Sequence, residues 1–124
     1  MKKVIWCDRG WLPVSFGFCP SEKAWTRAMK LLRVAGSEYP VMDGCTSAFD
    51  GPNGQLVVIV TISERISDKD GVGVVGLIVH EATHVWQFIC SQIGEDRPSR
   101  EMEAYAMQAI TMGLLRAYRE SRGK

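Results

Sequence analysis

Two histidines occur in the 124 residues, four apart, in the stretch Val79-His80-Glu81-Ala82-Thr83-His84-Val85-Trp86. On an α-helix this spacing is a rotation of roughly 400°, so both imidazoles lie on one face about 6 Å apart along the axis. That arrangement suits one tetrahedral Zn²⁺, which takes neutral imidazole nitrogen at about 2.0–2.1 Å. Glu81, next to the first imidazole, could then act as general base on a metal-bound water, with the metal polarising a scissile carbonyl. The competing reading is a coincidental His-Glu-x-x-His on a buried helix whose histidines are satisfied by hydrogen bonds.

The elements that must position these residues are legible in outline. From Val72 to Ile93 there is no Lys or Arg, and besides Cys90 only His80, Glu81 and His84 are ionisable. A helix apolar all round is a central one. Ser67 or Asp70, in the boundary Ser67-Asp68-Lys69-Asp70-Gly71, can cap its start, and Gly94 supplies its stop. Gly73 and Gly76 lower its propensity by roughly 1 kcal/mol each against Ala, which suggests a neighbour's backbone packed close. The turn-forming Asp50-Gly51-Pro52-Asn53-Gly54 joins a strand at Cys45–Phe49 to the strongest strand of the chain, residues 55–62, as a hairpin. The continuous apolar run of the second strand predicts burial on both faces.

Lys3–Cys7 reads as a short strand, and Trp11–Phe18, interrupted by Pro13 and Gly17, as irregular with one extended piece. After Pro20-Ser21, Ala24, Ala28, Leu31, Leu32 and Ala35 repeat at helical spacing as far as Gly36. Pro98-Ser99 opens a last helix that frays in its charged tail, Arg119–Lys124.

The length allows one domain, residues 1–124, with one modest core. Charge is nearly balanced, 15 Lys and Arg against 14 Asp and Glu, so direct nucleic-acid binding is not expected. No signal-peptide core and no apolar run of ~18 residues is evident, so the expectation is a cytoplasmic protein without a membrane segment. Cys7, Cys19, Cys45 and Cys90 form no Cys-x-x-Cys pair and read as buried free thiols. Self-association through exposed aromatics such as Trp11 or Trp25 is a further expectation.

Zinc needs a third protein ligand, and with no histidine left the candidates are Glu, Asp or Cys. Cys90 falls roughly 240° around and ~9 Å beyond His84 on a continuous helix. Glu103 is better placed. On the last helix it shares an apolar stripe with Ala106, Met107, Ile110, Leu114 and Ala117, where an unpaired carboxylate would cost several kcal/mol. Glu101 points to the polar side. One strain accompanies this choice: in antiparallel helices His84 would lie ~15 Å from the Gly94 end and Glu103 only ~6 Å from the Ser99 end.

The motif, followed after eighteen residues by Glu103, resembles the gluzincin branch of the zincin metallopeptidases. The Glu103-Ala104-Tyr105-Ala106-Met107-Gln108 run is similar to small His-Glu-x-x-His proteins of phages and prophages, and more weakly to the ImmA/IrrE metallopeptidases. The likeness covers about the last 55 residues. It implies an α+β minimal zincin core: a small, mostly antiparallel sheet on a central helix, one helix before the main hairpin, and a C-terminal helix bearing the third ligand. It further implies His80, His84 and Glu103 as Zn²⁺ ligands, Glu81 as the catalytic base, hydrolysis of a peptide or protein substrate, and pairing of that substrate with residues 61–64 or the Cys45 segment. Where thermolysin-type members carry a histidine-orienting Asp, this chain has Met107. Tyr39, Tyr105 and Tyr118 are the tyrosines available to steady an oxyanion. The alternative is a phage binding or virion-assembly protein, in host cytoplasm or virion, whose zinc is structural and whose partner is another protein or a second copy.

Overall fold

The computed structural model describes residues 2–67 and 69–123, so expectations that touch Asp68 and Lys124 lie outside the described residues. Along the chain come β1 (Ile5–Trp6), β2 (Ser15–Cys19), α1 (Glu22–Leu31), β3 (Gly44–Asp50), β4 (Leu56–Ile62), α2 (Gly71–Ile93) and α3 (Arg100–Ser121). The strands form one open sheet in the order β1-β2-β4-β3. β1 and β2 pair antiparallel, β2 and β4 parallel, and β3 and β4 antiparallel as the expected hairpin.

Helices cover both faces of this sheet. Val58, Val60 and Ile62 of β4 join Phe16 and Phe18 of β2 beneath α2 and α3, while Val57 and Ile59 meet Trp25, Ala28 and Met29 of α1. A strand buried on both sides has no polar face to present, which accounts for the unbroken apolar run of β4. The chain is thus α+β, a small open sheet with three helices among the described residues. The more specific expectation of a minimal zincin core is not supported, for the reason given with the site below.

β2 was not legible as a central strand. Its Gly17 is there because β1 passes too close for a side chain: a Cβ would come within 2.8 Å of both Trp6 and Val4 side-chain atoms. Glycine inside a strand marks such close approaches as well as breaks.

Helix α1 begins as expected, with the backbone N–H of Ala24 donating to Ser21 Oγ. It ends before Gly36. Arg33 takes the left-handed conformation (φ 58), and Val34 N–H closes back on the Met29 carbonyl. This is the glycine-type helix stop made without glycine, stabilised by Val34 packing into the same cluster as Met29. Helix α3, by contrast, continues regularly through Ser121 where fraying was expected.

Helix α2 is capped by Asp70, whose carboxylate accepts from Gly73 N–H, and stopped by left-handed Gly94. By length and composition it could cross a bilayer, contrary to the expectation that no stretch qualifies. Here its stripe of Val74, Ile78, Ala82, Val85 and Ile89 lies in the core. Gly73 and Gly76 do not receive a neighbouring backbone: a Cβ on Gly76 would meet nothing within 4 Å, and one on Gly73 only the capping Asp70. Gly76 borders open space instead, and Gly73 makes room for the capping carboxylate. Trp25 is buried in the core at 2 % exposure and cannot mediate self-association, whereas Trp11 is 55 % exposed.

All four cysteines are free thiols. Burial raises the Cys7 thiol to about 12 and the Cys19 thiol to about 11. A pKa raised in the folded state adds stability that is complete below the unfolded value and lost as pH rises through the folded one. Wild type should therefore lose unfolding free energy between pH 9 and 12 more steeply than a Cys7→Ala, Cys19→Ala variant, as read by urea denaturation. Gly17→Val should cost about 1–3 kcal/mol by forcing β1 away from β2, visible as a lowered Tm with unchanged thiol behaviour.

Candidate functional site

The His-Glu-x-x-His stretch occupies the middle of α2, and the helix does place both imidazoles together. His84 Nε2 lies 3.2 Å from His80 Nε2, with ring centroids 4.9 Å apart and planes inclined by 77°. His84 Nδ1 is 2.9 Å from Gln87 Oε1. A carbonyl oxygen can only accept, so Nδ1 of His84 is the donor to Gln87, while the direction of the contact between the two Nε2 atoms depends on the tautomer. The pair is a closed hydrogen-bonded unit anchored at one end by Gln87.

Glu81 is turned into the junction with β3, in a cleft that His80 also lines. It is only 3 % exposed. Its Oε1 accepts from the Thr46 hydroxyl at 2.8 Å, and the same hydroxyl lies 3.2 Å from the Glu81 backbone carbonyl. Among the described residues no group donates to Oε2, which faces Gly44: a Cβ built there would stand 2.9 Å from it. The missing side chain of Gly44 is what leaves room for the carboxylate.

The third expected member does not join. Glu103 Oε2 accepts the indole N–H of Trp86 at 2.9 Å, and Glu103 sits with Trp86, Gln87 and Cys90 in a separate cavity at the far end of α2. Glu103 is solvent-exposed, so it carries no large desolvation cost, and the group that meets it is a buried indole that itself requires an acceptor. The axial offset of antiparallel helices, noted from the sequence, is left standing.

Among the described residues no three His, Cys, Asp or Glu side chains are gathered where they could hold a metal ion. Two imidazoles already hydrogen-bonded to each other, a carboxylate turned toward Thr46 and another held by Trp86 do not fit a Zn²⁺ centre. This overturns the zincin, gluzincin and ImmA/IrrE-like expectation, the zinc cofactor, the peptidase with Glu81 as metal-assisted base, and equally the alternative of a phage protein clamped by structural zinc. The tyrosines do not assemble around the pair either: Tyr118 is a core residue stacked edge-on against Phe18, Tyr39 packs against Trp25, and Tyr105 lines a cavity with Trp6 and Trp11.

No family model matches the chain, and neither does any curated protein or any solved structure.

What the structure does build is a cleft of about 650 Å³ between the start of β3, the connection into α2 and the exposed flank of that helix. Ile66, Val74 and Leu77 form apolar walls, and Asp43, Asp70 and Glu81 supply carboxylates, with His80 beside them. Among the described residues lining it there is no Lys or Arg. Asp43, Gly44 and Thr46 escaped the sequence reading because nothing in a strand's local pattern says which helix will lie under it. Gly73 and Gly76 were a signal, read as close packing when they mark an opening.

The Thr46–Glu81 hydrogen bond should be structurally costly to lose. Thr46→Val, which keeps shape but removes the donor, is expected to destabilise by about 1.5–3 kcal/mol because the buried carboxylate then has no protein donor. In a double-mutant cycle with Glu81→Gln by urea denaturation, a coupling energy near zero would show the pair to be independent.

Proposed function

We propose that this protein is a peptide-binding module that accepts an extended segment of another polypeptide as an added strand on the open edge of β3. The observation that carries the reading is the hydrogen-bond register of that strand. Ser63 N–H donates to the Asp43 carbonyl, and Gly51 N–H donates to the Gln55 carbonyl. With the pairing Gly44↔Ile62 through Asp50↔Leu56, this makes the odd-numbered positions of β3 the ones bonded to β4. In an antiparallel ladder the alternate positions turn their N–H and C=O groups the other way, so Gly44, Thr46 and Ala48 offer theirs along the free edge.

Such an edge is a template for another strand, and native proteins commonly block it with Lys, Pro or a bulge. The Gly44-Cys45-Thr46-Ser47-Ala48-Phe49-Asp50 edge carries none of these; its one charge, Asp50, stands at the end. Main-chain pairing supplies affinity, and pockets beside the edge supply selectivity. Here the neighbouring pocket is the cleft that begins at Gly44.

The test uses random-sequence decapeptides displayed on phage and selected on the immobilised full chain. The tightest peptide should protect the amides of Thr46 and Ala48 from hydrogen exchange when bound. Ala48→Pro removes an outward N–H at a position where an edge strand tolerates proline. It should weaken that peptide by about tenfold or more while leaving the circular dichroism spectrum unchanged. Equal affinity in Ala48→Pro, or no protection at those amides, would overturn the proposal.

A further inference from the structure

We infer that the bound segment carries a lysine or arginine whose side chain enters the cleft beside Gly44 and places its cationic head on Oε2 of Glu81. This rests on the reading of β3 as the acceptor of an added strand, and it identifies the partner by chemistry.

Three observations converge. The first is the carboxylate itself. Glu81 is 3 % exposed, one oxygen is held by Thr46, and the other has no donor among the described residues. Oε2 is reachable from the cleft, since the buried side-chain atoms left without a partner among the described residues are Tyr39 Oη and Thr61 Oγ1, so a cationic donor arriving with a ligand would replace a water contact by a charge-assisted bond. The second is direction: Oε2 faces Gly44, a wall of the cleft and the first residue of the open edge, so the unmet acceptor and the unmet main-chain groups border one space. The third is the shape of the walls. Ile66, Val74 and Leu77 offer an apolar path, while Asp43 and Asp70 stand exposed at the rim.

A long aliphatic stem ending in a cation matches this sequence of surfaces, because lysine and arginine bury their methylenes along apolar walls and keep the charge on a partner. Acidic and apolar side chains bring no donor to Oε2, and neutral polar ones bring a donor without the charge. His80 lines the same cleft, but its Nε2 is already engaged with Nε2 of His84.

The experiment takes the selected decapeptide and varies only the residue that pairs nearest Gly44 among Lys, Arg, norleucine and Glu. Dissociation constants are read by fluorescence anisotropy in buffer containing a chelator. In wild type, Lys and Arg peptides should bind about tenfold or more tighter than the norleucine peptide, the size expected of a charge-assisted hydrogen bond in a partly desolvated site. Glu81→Gln should reduce that ratio to near one. Because Glu81 is buried, a second variant guards against misfolding: Asp43→Asn with Asp70→Asn leaves the core untouched and keeps a capping side chain at position 70. It should lower the cationic preference about threefold, and added salt should do so less in the variant than in wild type.

Equal binding of charged and norleucine peptides, or a preference that survives Glu81→Gln, would overturn the inference. If charge makes no difference while Ala48→Pro still weakens every peptide, the edge reading stands and the cleft assignment falls. If the cationic preference persists but Ala48→Pro has no effect, the edge reading is the one that falls.

Discussion

A carboxylate buried where helix α2 meets β3 is the constraint on which the site depends. Glu81 is almost wholly buried, with one oxygen held by the Thr46 hydroxyl and the other bordering the cleft beside Gly44. The fold accommodates it through two residues of one strand face, Thr46 supplying a proton and Gly44 supplying space. Because the strand alternates, these are also positions whose main-chain groups turn away from the sheet. The carboxylate that can take a further partner and the edge that can recruit one are therefore products of the same two residues.

The rest of the architecture explains why that edge is left open. β4 is covered by helices on both sides and bonded to strands on both sides, so it is the part of the sheet most fully enclosed. β3 is anchored to it by the full hairpin ladder and held from beneath by α2, which keeps its register without need of another strand. At the opposite border the two-residue β1 presses on Gly17 and is too short to act as a comparable template. Rigid support on one side and unmet hydrogen-bonding groups on the other is the arrangement strand addition requires.

The two imidazoles illustrate how spacing and chemistry part company. Four residues on a helix brought them together as geometry demands, yet in the absence of a third donor they bond to one another, with Gln87 on the outer nitrogen of His84. The apolar helix stripe that Glu103 shares points to it as their partner. In the fold it lies at the exposed rim of the α2–α3 seam, and the indole of Trp86 claims it. A motif specifies two donors; the third depends on how far one helix slides along another, and the turn after Gly94 left Glu103 with Trp86 instead of with the pair.

From sequence alone came whatever depends on neighbours along the chain: the helix over Val72–Ile93 with its stop at Gly94, the Ser21 cap, the hairpin around residues 50–54, and the common face of His80 and His84. These follow from dihedral preferences and fixed periodicities, which act within a few residues. Tertiary structure alone decided that Gly17 lies within a strand, that Trp25 is core, that Gly76 opens on a cleft, and which partners Glu81 and Glu103 take. Each of those depends on a surface brought from far along the chain, and no local pattern encodes the distance between two elements that meet only once folded.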